Sequence, residues 1–243
     1  MTQVCYALLR QLTSLRDRWH LKVCLSRKWT TRNFTSKEVW VLDMLFIDEN
    51  EDQLHASAPR DLISQFSDIL IEGDIFHVEK FNISKINGTY QPILDGEYKI
   101  YLKNDTIMKR FEGQTLPIPL YKFSFVAFNE IPNRYNQPKY LTDIVEKLEA
   151  VTEIELVSKR NEDISPKRDL ILENMCKSPM KITVWDDTLK EIPLDLSEMP
   201  STPIVLIVTS TTVHMFKDHV ALAMNPSRRS PKTKLALLCL LCL

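Results

Sequence analysis

Glycine is nearly missing from this chain: four residues in 243, and none after Gly113. Loops that cradle phosphates, of the G-x-x-x-x-G-K-[ST] or G-x-G-x-x-G type, need several glycines within one turn, so those nucleotide-dependent chemistries are excluded. Neither G-x-S-x-G nor H-E-x-x-H occurs, which removes the usual serine-hydrolase and zinc-protease signatures. The reading is therefore of a non-catalytic protein with no cofactor.

Long apolar runs are lacking too. The N-terminal VCYALLRQL is broken by Arg10 and does not make a secretory signal. The C-terminal LALLCLLCL has nine apolar residues, against the roughly 20 that span a bilayer. Leu240, fourth from the end, rules out a prenylation box. No membrane partner is expected, and the sequons at Asn33, Asn82, Asn87 and Asn104 have no meaning without secretion.

The five cysteines, Cys5, Cys24, Cys176, Cys239 and Cys242, form no disulfide framework and point to a reducing compartment. Cys239 and Cys242 make a C-x-x-C, but no second Cys/His pair stands at a spacing that completes four zinc ligands, so no metal is expected. The acidic stretch Asp48, Glu49, Glu51, Asp52 departs from EF-hand spacing and reads as a β-turn.

Excess charge is absent overall, with 31 basic and 32 acidic residues, but the signs are separated. Residues 1–37 carry eight Lys/Arg against Asp17 alone, and residues 38–80 carry eleven acids against Arg60 and Lys80. A near-neutral protein can carry a basic stripe in this way, although a solvated face explains the same pattern.

What is present is strand signal. Trp19–Trp29 and Glu38–Asp48 are rich in β-branched, aromatic and alternating residues, and an acidic turn separates the second from Leu54–Ala58. The spacing of Leu62, Ile63, Phe66, Ile69 and Leu70 predicts a helix over 61–70. Strands follow at 75–84, at 89–93 after an Asn87-Gly88 hairpin turn, and at 98–102. Three strands, a short helix and two further strands without βαβ alternation describe a small Greek-key barrel of the OB-fold kind. The proline-rich stretch 116–138 reads as a linker. The same grammar then returns: a strand over 141–156, a basic loop at 158–168, strands at 169–172 and 180–185, an irregular stretch, and strands at 203–209 and 212–223. The fold class is all-β with little helix: two tandem OB-fold barrels, over 12–115 and 139–227, with a disordered or weakly helical tail at 228–243.

One spacing recurs. Pro59 is followed 31 residues later by Tyr90, and Trp185 by Phe216 at the same interval; the two pairs, and His55 with Lys181, are offset by 126. Repetition of this kind marks two copies of one domain. Trp185 ends a strand beside Asp186 and Asp187, and Phe216 stands at a hairpin tip, so both are placed as stacking platforms rather than core residues. Single-stranded nucleic acid is held by such platforms, at about 1–3 kcal/mol per stacked base, together with cations on phosphates. Lys28, Arg32, Lys159, Arg160 and Lys181 are the candidate phosphate contacts.

The segments KVCLSRKW, LDMLFIDENEDQLHASAP, EGDIFHVEKFNI and NGTYQP resemble the first tandem barrel of plant-type replication protein A large subunits. SPKRDLILEN, KITVWDD and STPIVLIVTSTTVHMF are similar to the next barrel, so the resemblance covers about residues 12–227. It implies base stacking on an aromatic that ends the third strand and on another in the following hairpin: Trp185 and Phe216 in the second barrel, Pro59 and Tyr90 in the first. Pro59 departs from the aromatic pattern. His55 and Lys181 fall where the resemblance implies a polar or basic groove residue, and Lys181 is the better phosphate contact because a histidine is only partly charged at neutral pH. Single-stranded DNA and other subunits of replication protein A are the implied partners, and the nucleus the implied location, in replication, repair or recombination. The family's partner-binding N-terminal barrel and its zinc-bearing barrel have no counterpart in these residues. Two other readings stay open: a protein-interaction module built on OB-folds, and a truncated relative with little DNA binding.

Overall fold

In the computed structural model the described residues are 4–16, 18–32, 38–87, 96–112, 118–135, 142–158, 164–192, 204–216, 219–224 and 235–239. Strand alternation lays down the first core. Leu21, Val23 and Leu25 of β1 (His20–Arg32), Leu42, Met44 and Phe46 of β2 (Val39–Ile47), and Leu54, Ala56 and Ala58 of β3 (Gln53–Pro59) all point inward and are buried. Their odd-numbered neighbours on β2 and β3 face outward, because successive side chains alternate across a strand.

The helix expected over 61–70 is shorter. A 3-10 turn at Arg60–Leu62 leads into α1 (Ile63–Phe66), and one further bond, from Leu70 N to the Phe66 carbonyl, continues the coil. Lys28 Nζ donates to the carbonyls of Ser67 at 2.9 Å and Leu70 at 2.6 Å, so the orphan acceptors at this helix end find a partner across the barrel. Phe66 and Leu70 enter the core from this element.

The strand expected at 75–84 divides into β4 (Ile75–Glu79) and β5 (Asn82–Lys85). Lys80, at φ 60°, takes the left-handed conformation that turns the chain between them. β4 pairs antiparallel with β1, whereas β5 pairs antiparallel with β6 (Tyr98–Tyr101), and β6 runs parallel to β3. The corner thus closes the ring β1-β2-β3-β6-β5/β4. An added strand, β7 (Ile107–Arg110), lies along β4. The hairpin return expected at 89–93 lies outside the described residues. The acidic turn is borne out as a turn: Asp48 Oδ1 accepts from the amides of Asn50 and Asp52, and its Oδ2 from Leu9 N at 2.7 Å.

The second barrel closes more directly. Its strands are β8 (Thr142–Val151), β9 (Glu155–Ser158), β10 (Ile164–Glu173), β11 (Pro179–Trp185), β12 (Ile204–Phe216) and β13 (His219–Met224). The ring runs β8-β10-β11-β13-β12 and back to β8, with β11 and β13 parallel and the other pairs antiparallel. Ile144, Leu148, Leu170, Leu172, Ile182, Val184, Leu206, Val208 and Leu222 fill it. Both rings have the OB-fold order, in which the third and last strands are parallel neighbours.

Three sequence expectations change here. The basic loop at 158–168 is strand from Ile164 onward, because β9 forms a hairpin edge against Ile164–Lys167. The stretch read as a linker is partly core: Val126 and Ile131 are buried in the second barrel, Ile131 within a 3-10 stretch at Phe128–Arg134. The tail carries a strand, β14 (Leu235–Cys239), paired antiparallel with Ile204–Val208. β13 covers only Thr212–Phe216 of the long β12, so the earlier half offers a free edge, and an unpaired edge is a template for an apolar segment. The chain divides into the units Met1–Lys122 and Phe123–Leu243. Among the described residues no helix is long and apolar enough to cross a membrane.

Candidate nucleic-acid interface

The offset of 126 holds in three dimensions. β3 and β11 correspond residue for residue, and so do their antiparallel partners: Val41 faces Pro59 as Lys167 faces Trp185, and Leu45 faces His55 as Ile171 faces Lys181. The outward side of this strand pair is therefore one surface occurring twice. The correspondence also exposes a feature missed in the sequence. Asp43 and Asp169 differ by 126 and occupy the same place on the middle strand, opposite Ser57 and Thr183.

In the first barrel Asp43 is the hub of a buried polar network. Its Oδ1 accepts from His55 Nε2 at 2.8 Å, from Ser57 Oγ and from Lys99 Nζ at 3.2 Å, and its Oδ2 accepts from Thr31 Oγ1 at 2.6 Å. Burial alone would raise the Asp43 carboxyl, but these hydrogen bonds and the Lys99 charge outweigh it and hold it below the usual carboxylate range. Burial pushes the His55 imidazole down, and Lys99 adds to this against the opposing hydrogen bond to Asp43. His55 is thus a neutral donor to an ionised Asp43, and Lys99 supplies the compensating charge. The Trp29 ring stacks on His55 at 5.5 Å and 20°.

This arrangement corrects the expectation for His55. It lies on the outward face, but at 3% exposure it is held between Trp29 and Asp43 and does not meet a phosphate. Lys28 is corrected as well, since its ammonium satisfies the carbonyls after α1. Pro59 ends β3 and is exposed. Arg32 ends β1 opposite Val39, while Tyr90, Lys159 and Arg160 lie outside the described residues.

Sequence reading also missed Tyr101. It lies on β6 opposite Ser57, two residues from Pro59, and is 39% exposed with Lys99 Nζ 5.5 Å over its ring. It borders a cavity of about 620 Å³ whose lining includes Arg16, Lys80 and Lys103. The first barrel, without an aromatic at the end of its third strand, carries one on the adjoining strand amid cations. The only available signal was the alternation in YKIY, where Ile100 points inward and Tyr101 outward.

In the second barrel the lysine has changed strands. Lys181 stands where His55 does, and Ala221 where Lys99 does. Lys181 Nζ lies 3.4 Å from Asp169 Oδ2, and Lys167 Nζ lies 3.6 Å from the same oxygen and 3.0 Å from Glu155. The hydrogen bond to Glu155, with the nearby carboxylate charges, raises the Lys167 ammonium, which stays charged. Trp185 is half-buried at the end of β11 directly opposite Lys167, and Asp186, at φ 49°, turns the chain away after it. Phe216 ends β12 opposite His219 at the β12–β13 hairpin. Since Lys181 faces Ala221 and Val184 faces Met224, that hairpin tip and Trp185 lie at opposite ends of the β11–β13 ladder. Six residues of strand put them about 20 Å apart along it.

The family model described as a domain of unknown function, DUF223, matches residues 10–133. The chain belongs to the DUF223 family. This DUF223 chain is also 23% identical over 212 residues to a 70 kDa DNA-binding subunit of replication protein A from Arabidopsis thaliana, covering 86% of itself and 33% of that protein. It is 22% identical over 183 residues to "Replication factor A protein 1" of Schizosaccharomyces pombe, covering 74% of itself and 29% of the relative. It spans about a third of the length of these curated relatives. A chain from a replication protein A heterotrimer bound to single-stranded DNA superposes with a TM-score of 0.61 at 20% identity, over 95% of this chain and 51% of that one. The resemblance to plant-type replication protein A large subunits and the OB-fold architecture are therefore borne out.

Proposed function

We propose that this chain binds single-stranded DNA without catalysis, by stacking bases on outward aromatics and pairing phosphates with adjacent cations. The observation that carries the reading is the repeated outward face at offset 126, with Trp185 beside Lys167 and Lys181 in one barrel and Tyr101 beside Lys99 in the other. Phe216 and Tyr90 remain candidate platforms, and Arg32, Lys159 and Arg160 candidate phosphate contacts. The named relatives support a nuclear role in replication, repair or recombination, with other replication protein A subunits as partners.

The test is an anisotropy titration with an oligonucleotide of about 16 nucleotides, the upper end of one barrel's site range, at several salt concentrations. Affinity falls as salt rises. Trp185→Ala loses about 1–3 kcal/mol, or 5- to 150-fold; unchanged affinity in that variant overturns the platform. A second reading, a protein-interaction module, draws on the first barrel, where Trp29, His55 and Asp43 are buried on the outward face. Oligonucleotide binding that is undetectable or insensitive to salt favours it.

A further inference from the structure

Away from that face, at the start of β1 and the end of β4, two histidines and a glutamate converge. His20 and Glu79 are paired across the two strands, and His77 precedes Glu79 by two residues. Leu21, Phe76 and Val78, which alternate with them, are core residues, so His20, His77 and Glu79 share the outer surface of this strand pair. One donor atom from each lies within 4.8 Å of the other two. Nine residues of β1, up to about 30 Å of strand, separate His20 from Trp29, which stacks on His55 in the Asp43 network.

We propose that His20, His77 and Glu79 bind a zinc-type divalent metal ion that ties β1 to β4. His20 Nδ1 lies 3.0 Å from Glu79 Oε2, and His77 Nε2 lies 3.8 Å from Glu79 Oε1. Two ligand bonds of about 2.0–2.2 Å at a tetrahedral angle place their donor atoms about 3.4 Å apart, and the two separations, each to a different oxygen of Glu79, lie on either side of that value. His20 Nδ1 is buried and, despite its closeness to the carboxylate, is not aimed to hydrogen-bond it.

The outer contacts fit this role. Tyr6 Oη lies 3.2 Å from His77 Nδ1 and engages that nitrogen, which leaves Nε2 for the metal; such partners orient histidine ligands. Two imidazoles and one carboxylate suit zinc, cobalt or nickel better than calcium or magnesium, which prefer oxygen alone. Three protein ligands leave one position for water on the side of His20, whose side chain is 40% exposed. Lys22 faces His77 across the strands, but its ammonium lies 3.7 Å from Glu49 and over the Phe111 ring. Lys109 is paired with His77 from β7 and opposes a bound cation.

The test uses the full chain, stripped of metal and kept reduced with a phosphine. Zinc is titrated calorimetrically, and cobalt by its visible absorption. One equivalent binds, without the thiolate charge-transfer band that cysteine ligation would give, and zinc raises the melting temperature by a few degrees. Glu79→Gln, which preserves shape, and His77→Gln each weaken binding at least tenfold, whereas His214→Asn does not. Absence of binding, parent-like binding in both site variants, or a thiolate band overturns the site. Folding of each variant is checked by circular dichroism, and Glu79→Gln decides the matter if His77→Gln does not fold.

Discussion

His55 shows how one residue can be placed correctly and assigned wrongly. Its position on the outward face followed from the offset to Lys181, but burial and a stacked tryptophan turn it into a neutral donor inside the network of Asp43. A pH dependence follows. His55 is lowered in the folded protein, so the unfolded chain takes up the proton first as pH falls. The stability contributed by keeping the ring neutral is complete above the ordinary imidazole value of about 6.5 and declines below it. Asp43, also lowered, contributes stability above its unfolded value of about 3.9, and this is lost only in stronger acid. The urea midpoint for unfolding of the barrel that holds His55 therefore drops between pH 7 and 5, and His55→Gln flattens that slope. His77 titrates in the same sense, so a residual slope remains. An unchanged slope in the variant would show that the buried ring is not responsible.

Among the elements, strand existence was readable because inward apolar residues alternate; β11 ends at the expected Trp185, and β3 runs one residue past the expected Ala58, to Pro59. The β4–β5 corner was not readable, because Lys80 adopts its left-handed turn without a glycine to announce it. β14 was hidden because its pairing depends on an edge of β12 more than 25 residues away in sequence. Lys28 carried a cationic signal identical to that of a phosphate contact, and only the fold brings it to the end of α1. Lys28→Met removes two carbonyl partners and costs roughly 1–3 kcal/mol of stability. Its single-stranded DNA affinity stays within twofold of the parent after correction for unfolded protein. A tenfold loss of affinity with normal stability would return Lys28 to the interface.

At the scale of the molecule, the two barrels hold the same aspartate with different lysines and carry their outward aromatic on different strands, so the two proposed DNA-binding sites are unequal. Linkage makes the second contact intramolecular, and overall affinity becomes the product of both sites and an effective concentration whenever the ligand reaches both. A ligand confined to one barrel instead reports mainly the tighter site. Tyr101→Ala is therefore nearly silent with an oligonucleotide of about 8 nucleotides, which fits a single barrel and chooses the one containing Trp185. With one of about 24 nucleotides, both barrels engage, and the same substitution loses the full stacking contribution of about 1–3 kcal/mol, or 5- to 150-fold. Paired titrations of the parent and the variant at both lengths and one salt concentration measure this. Silence at both lengths would mean that Tyr101 is not a stacking platform.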